Sequence, residues 1–411
     1  MQFDVTSNTA SECQRLIARL EDKDSGARAA AAQALGQLGW KPASTQEAIR
    51  LAIAQQDWKA PPLQQAEAVE PLCARLGDSI SGVRAAAAEV LGQLGDPRAV
   101  GPLCARLGDL YSEVRSAVVV ALGQLGDPRA AEPLCACLGV WDSAVRAAVT
   151  QALGQVGDPA IEPLCARLRD ADRRVRKSAA QTLGELGDRR AIEALCAHLG
   201  DAASEVRTAV VGALGKLGDP CAVEPLCACL GDRDWQVRKA AAQALGKLGD
   251  RRAVKPLCAR LGDSGRDVRG TVAAALGLLG DPRAVGPLCT LLGDENSQVR
   301  EAAALALVQL GDPAAEPLSA RLGDASRGVR RAVVAALRVI QARGSLPALR
   351  RRLRYLGERE TDPELRREIQ DAVASIETAT AHVRDLPIAS GAPAPRAEAL
   401  PLPVAAPPTT E

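Results

Sequence analysis

Aromatic side chains are almost missing from this chain: one Phe, two Tyr and four Trp, 2% of 411 residues. Burial therefore has to come from Leu, Val, Ala and Cys, and side chains that small imply closely packed helices. Histidine is scarcer still, with only His198 and His382, neither followed by Glu. Ser, His and Asp consequently form no recognisable triad, and no glycine-rich loop follows a strand, because no strand pattern is evident. Excess charge is missing too, with Lys plus Arg at 51 against 50 for Asp plus Glu, so no global field favours nucleic acid or an anionic membrane. No apolar run reaches the ~18 residues of a membrane-spanning helix. The opening MQFDVTSNTASECQ has no apolar core of a secretion signal, and a cytoplasmic protein without cofactor is expected.

What fills the chain is repetition. The stretch Ala68 to Arg98, AVEPLCARLGDSISGVRAAAAEVLGQLGDPR, recurs in close copies until about residue 340. A Val-Arg pair marks the period through Arg84, Arg115, Arg146, Arg176, Arg207, Arg238, Arg269, Arg300 and Arg330, at spacings of 31 residues, or 30 for Arg146 to Arg176 and Arg300 to Arg330. The length alone would suggest two or three globular domains. A fixed period over nine units predicts instead an all-α, right-handed solenoid of stacked two-helix units.

In the second copy Val100, Leu103, Cys104 and Leu107 share one helical stripe, and Val114, Ala117, Val118, Ala121, Leu122 and Leu125 share another. The first arm should start at Asp96-Pro97 and run to Gly108; the second should close at Gly126 in the left-handed conformation. Pro102 and its counterparts predict a bend one turn into the first arm. Gly92, Gly123, Gly154, Gly184, Gly215, Gly246 and Gly277 interrupt the second arm, at ~1 kcal/mol each relative to Ala, which suggests close approach of a neighbouring backbone. Val308 and Arg338 replace that glycine in the last two units, so the contact should loosen there.

An aspartate stands six residues before each repeat arginine, for example Asp109 before Arg115, Asp201 before Arg207 and Asp232 before Arg238; Val140 is the exception. Two roles fit that spacing. The acids and arginines could form a ladder joining each unit to the next by charge-assisted hydrogen bonds, or the acid could cap the second arm.

The proline of the first arm, the turn aspartate and the Val-Arg pair resemble HEAT repeats, and the strings GDPRAVGPL (95–103) and ALGQLGD (121–127) resemble the phycobilisome-lyase HEAT-like subclass. The resemblance covers roughly residues 8 to 377 and implies a non-catalytic scaffold or adaptor for another protein or peptide segment. A bilin lyase-like or chaperone-like accessory subunit is the alternative it leaves open. It also brings in the deoxyhypusine hydroxylase branch, whose di-iron centre depends on His-Glu pairs that this sequence does not contain.

Eight of the twelve cysteines, from Cys73 to Cys289, occupy one position of the first arm and read as small core residues. Stacked helices lie ~8–10 Å apart, beyond the reach of a disulfide. Cys137 and Cys229 stand where other copies carry an exposed Arg.

Variation in the second arm concentrates one, five and nine residues after the arginine. These positions are Lys177, Gln181 and Glu185, then Thr208, Gly212 and Lys216, then Lys239, Gln243 and Lys247. They form one mildly basic face opposite the apolar stripe, a candidate concave binding surface. Three aromatics, Tyr111, Trp141 and Trp235, fall in the turns between arms and are candidate partner contacts or covers for the adjacent layer. Outside the regular units (68–343), residues 1–38 read as a capping hairpin and 39–67 as a degenerate repeat with a helix from Thr45 to Trp58. Residues 344–377 read as a charged C-terminal cap and 378–411 as a disordered Ala/Pro-rich tail.

Overall fold

The computed structural model describes residues 5–139 and 143–341 and a few positions between 363 and 370. Those residues hold helices and turns and no strand, and the fold is an all-α solenoid. The expected C-terminal cap lies outside the described residues apart from those few positions, and the tail lies wholly outside them.

One unit shows how the sequence builds the hairpin. Asp96 accepts a hydrogen bond from the Arg98 amide at 2.9 Å and opens a 3-10 turn, Pro97–Ala99, which passes into an α segment, Val100–Cys104. The first arm therefore stops short of Gly108. Pro102 falls in the first turn of its α segment, where its missing N–H would have had no helical partner. The expected bend thus takes the form of a change from 3-10 to α geometry ahead of the proline. The second arm is a 14-residue helix, Ser112–Leu125, closed by Gly126 at φ 59° and ψ 17°.

Successive second arms press together at the helix glycines. A Cβ on Gly92 would lie 2.7 Å from Ala121 Cα, one on Gly184 2.7 Å from Ala213 Cα, and one on Gly215 2.7 Å from Ala244 Cβ. No real Cβ tolerates such distances, so the propensity cost of glycine is exchanged for backbone-to-backbone packing. Gly154 breaks the series, with no atom within 4 Å of its would-be Cβ.

Besides the change of residue at Val308 and Arg338, an open seam that was not expected from the sequence lies between the second arms Ser143–Val156 and Arg173–Leu186. The reason is the 30-residue spacing. With one residue fewer in the turn, Gly157 takes φ 73° and ψ −136° in place of the usual left-handed pair, and Asp158 becomes the first residue of its 3-10 turn rather than the cap. The other short copy repeats this at Gly311, φ 71° and ψ −137°. The chain divides into two compact units just beyond that turn, after Ala314. In the second unit, helix Arg327–Gln341 buries Val329, Val333, Val334, Ala336 and Leu337.

At the other end, helices Val5–Arg19 and Ser25–Gln37 form a first hairpin whose core is Leu20, Ala31, Ala32 and Leu35. The irregular stretch contributes one helix, Thr45–Gln55, with the Ser44 hydroxyl accepting from the Glu47 amide. It ends at Gln55, three residues before Trp58, and Gln56 follows in the left-handed region, φ 56°. From it Ala54 joins the first hairpin's core, with Trp40 packed alongside.

The cysteines are free, and the shared position is less interior than expected: only Cys135 and Cys289 of the eight are buried, the other six being half-buried. Cys229, placed by sequence on the exposed side, is buried and Cys137 half-buried, because a thiol substituting for Arg can fold down against the neighbouring arm. Burial raises the Cys135 thiol to about 12 and that of Cys229 to about 11.

Candidate protein-interaction surfaces

The arginine that marks each unit reaches forward. Arg84 donates from Nε and Nη2 to the two carboxylate oxygens of Asp109 at 2.8 and 2.9 Å. Arg207 grips Asp232 at 2.8 and 2.7 Å. Arg176 with Asp201, Arg238 with Asp263 and Arg269 with Asp294 repeat the geometry. In each pair the aspartate lies 25 residues on, in the next unit. The aspartate six residues before the arginine is also used, through its main chain: Arg207 Nη1 donates to the Asp201 carbonyl at 2.8 Å. Arg115 accordingly meets Asp109 only at the carbonyl, also at 2.8 Å, while the Asp109 carboxylate belongs to Arg84.

Of the two roles left open by the sequence, the carboxylate takes the ladder, and it does not cap the second arm, whose first turn has no side-chain cap in this unit. Asp109 Oδ1 also accepts from the Tyr111 amide at 3.1 Å and closes the turn ahead of the second arm. The ladder even spans the irregular stretch, since Arg28 of the first hairpin pairs with the buried Asp78.

A second ladder, which the repeat arginines gave no reason to seek, runs through the Asp-Pro-Arg turns. Arg98 and Arg129 chelate the aspartate two residues before them and donate from Nη2 to carbonyls 32 residues back, Ala66 and Pro97, each at 2.9 Å. The sequence signal was the Arg two after each turn Asp. Where Cys221 replaces that Arg, Asp219 takes Arg189 of the preceding unit at 2.7 Å.

On the second arms the variable face is present as a surface. Lys177, Gln181, Thr208, Gly212 and Lys216, with Glu205 and Gln236, line a groove of about 350 Å³ across the helices Arg173–Leu186, Ser204–Leu217 and Trp235–Leu248. Glu185 lies outside that lining and pairs with Lys216 at 3.6 Å, and Glu205 is held by Arg173 at 2.9 Å. Lys239, Gln243 and Lys247 continue the face beyond the groove, the Lys239 ammonium 5.9 Å from the Trp235 ring. Among the described residues no acid lies within ion-pair distance of Lys177, Lys239 or Lys247.

The same register carries exposed apolar residues that the sequence reading passed over: Val120, Leu278 and Leu305, five, nine and five residues after their arginines. Of the turn aromatics, Tyr111 is 53% exposed with the Arg84 guanidinium 5.4 Å from its ring centre, so it both covers a rung and faces solvent. Trp235 is 44% exposed at the first position of its helix. Trp141 lies outside the described residues.

The HEAT-repeat family matches residues 47–112, 69–154, 132–214, 199–269 and 254–338, well over half of the chain. This is a HEAT-repeat protein. Among solved structures it is similar to Kap95p bound to RanGDP, with 14% identity, a TM-score of 0.53, and 90% of this chain aligned to 60% of that one. It is similar as well to the CpcE–CpcF complex of phycocyanin lyase from Nostoc sp. PCC7120, with 27% identity, a TM-score of 0.34, and 52% of this chain aligned to 94% of that one. No curated protein sequence matches it significantly.

The HEAT ladder makes stability depend on pH. Hydrogen bonds from Arg84, Arg176 and Arg269 hold the carboxyls of Asp109, Asp201 and Asp294 below the ordinary carboxylate range, and Arg283 pulls Asp281 down to about 2. A carboxyl whose folded pKa is depressed contributes stability that is complete above its unfolded value and is lost as pH falls through the folded value. Helicity followed by circular dichroism from pH 7 downward is expected to hold through about pH 4, the unperturbed carboxylate range, and to fall only below it. A transition centred above pH 5 would contradict the ladder's part in stability.

Among the described residues no group of His, Cys, Asp and Glu is placed to hold a metal ion. Among the same residues no helix is long and apolar enough to cross a membrane. His198 is half-buried, and desolvation lowers its pKa.

Proposed function

We propose that this HEAT-repeat protein is a non-catalytic cytoplasmic adaptor that holds an acidic segment of another protein along the concave, second-arm face. The groove beside Lys177 carries the reading. It joins two lysines, hydroxyl and amide groups on rigid helices, and the cations Lys177, Lys239 and Lys247 remain without a carboxylate of the chain's own. Unneutralised cations on a preorganised surface favour an anionic partner at little ordering cost. No aromatic lines the groove, which disfavours a pigment as its occupant. Kap95p, which shares the fold, is seen with a bound protein, and that too supports a protein as partner.

The test is affinity capture from cell lysate with the wild type and with Lys177→Glu, Lys239→Glu and Lys247→Glu combined, circular dichroism verifying that the variant is folded. A specific protein retained by the wild type should be lost from the variant. Equal retention by the folded variant would remove this face from consideration.

A further inference from the structure

Two residues beyond the shared cysteine of the first arm, five units carry an arginine: Arg75, Arg106, Arg167, Arg260 and Arg321. This arginine fills a slot between its own first arm and the one before. Arg106 Nη2 lies 3.3 Å from where a Cβ on Gly77 of the preceding unit would stand, and Arg260 Nη2 lies 3.2 Å from one on Gly231. The same guanidinium faces the aspartate three residues on in its own turn, Arg75 with Asp78 at 3.8 Å, Arg167 with Asp170 at 3.6 Å and Arg321 with Asp324 at 3.0 Å.

In the unit of Arg300 the station belongs to Leu291, which is buried and brings no charge. Gly262, the glycine that its arginine would cross, has no atom of the described residues within 4 Å of its would-be Cβ. The slot is left as a groove of about 400 Å³ between the first arms Val254–Cys258 and Val285–Leu291, lined by Cys258, Leu261, Gly262, Pro287, Leu291 and Asp294. Asp294 accepts from Arg269 on both oxygens and from the Asn296 amide on Oδ1, which leaves lone-pair capacity on Oδ2. Asp78 shows that such a carboxylate serves two guanidiniums, since its Oδ2 pairs with Arg28 and lies 3.8 Å from Arg75. The preceding unit has Arg260 and Ser264 where this one has Leu291 and Glu295, so one cation is lost and one acid gained. Glu295 is 90% exposed.

We propose that this groove, on the first-arm face, is a binding site for an arginine side chain from a segment of another protein. Its guanidinium donates to Asp294 Oδ2, and its aliphatic stem crosses Gly262 as the chain's own arginines cross Gly77 and Gly231. Arginine suits the slot better than lysine because its planar fork loses less freedom for each hydrogen bond made. The site uses first arms alone and does not depend on the lysine face of the second arms.

The test selects a random displayed peptide library on the full chain and depletes it on Leu291→Arg, which returns the repeat's own guanidinium to the slot. Peptides held by the wild type and not by the variant should share an arginine. In fluorescence anisotropy their affinity should fall at least tenfold when that arginine is changed to Ala, and by as much in the Leu291→Arg protein. Gly262→Ala puts a methyl on the floor of the groove without meeting any described part of the chain, and it should weaken the peptides severalfold. Melting midpoints of both variants at or above that of the wild type, read by circular dichroism, separate loss of the site from loss of the fold. The combined Lys177→Glu, Lys239→Glu and Lys247→Glu protein should bind the peptides at least as well as the wild type, which keeps this site distinct from the lysine face. Peptides that bind Leu291→Arg as tightly as the wild type would overturn the proposal. So would a selected set with no arginine in common, or a selection in which no peptide distinguishes the two proteins.

Discussion

Gly184→Val is expected to lower the stability of the protein by about 2–3 kcal/mol, the range for forcing extra atoms into a close-packed contact. Its Cβ would stand 2.7 Å from the Cα of Ala213 and 2.8 Å from its Cβ. The obstacle is backbone on a packed helix rather than the end of a flexible side chain, so relief requires the two second arms to move apart and surrender contact along their length. The matched control is Gly154→Ala. Nothing lies within 4 Å of that Cβ, and the substitution should raise stability by roughly 0.5–1 kcal/mol through helix propensity and a less flexible unfolded chain. Urea unfolding followed by circular dichroism measures both. Opposite signs at the two glycines would support the packing account, whereas destabilisation at both would show that the seam at Gly154 is closed.

The second large effect is expected at a ladder rung. Arg207 and Asp232 have side chains only 4% and 13% exposed, and the carboxylate takes two guanidinium bonds as well as the Asp234 amide at 2.8 Å. Asp232→Ala leaves a buried guanidinium without its acid and opens the turn, for which a loss of about 3–5 kcal/mol is the expected scale. Replacing both partners, Arg207→Met with Asp232→Leu, removes the uncompensated charge and should recover most of that loss. The contrast between single and double variants, read as urea midpoints, tests the pair rather than either residue. A double variant as unstable as Asp232→Ala would mean that the carboxylate acts through the turn alone. Measured against these rungs, Arg115→Ala should be mild, since the acceptors of Arg115 are main-chain carbonyls.

The two turns that are one residue short illustrate where reading the chain succeeds and fails. The spacing of 30 between Arg146 and Arg176 was visible as an irregularity of period, but its consequence was not. That consequence depends on Gly157 abandoning the left-handed well for ψ −136° and thereby swinging the following arm, a matter of backbone geometry rather than composition. A residue missing from a turn shifts every residue that follows it, whereas a substitution such as Val308 changes one side chain in place. The cysteines teach a related lesson. A residue on an apolar stripe was expected in the interior, but the first arm is so short that six of the eight lie only half-covered.

From the sequence alone follow the helical hairpin, its period, the capping of its arms and the presence of an acid and a base at fixed stations, because each rests on interactions within a few residues along the chain. The resemblance to HEAT repeats was likewise readable from local strings. Tertiary structure decided which acid each arginine meets, since the partner lies 25 residues away and is brought near only by stacking. Stacking likewise left Arg115 with main-chain carbonyls as its hydrogen-bond acceptors, gathered the lysines of separate units around one groove, and opened the seam at Gly154. All of these depend on how neighbouring layers align, and alignment is a property of the packed array rather than of any single unit.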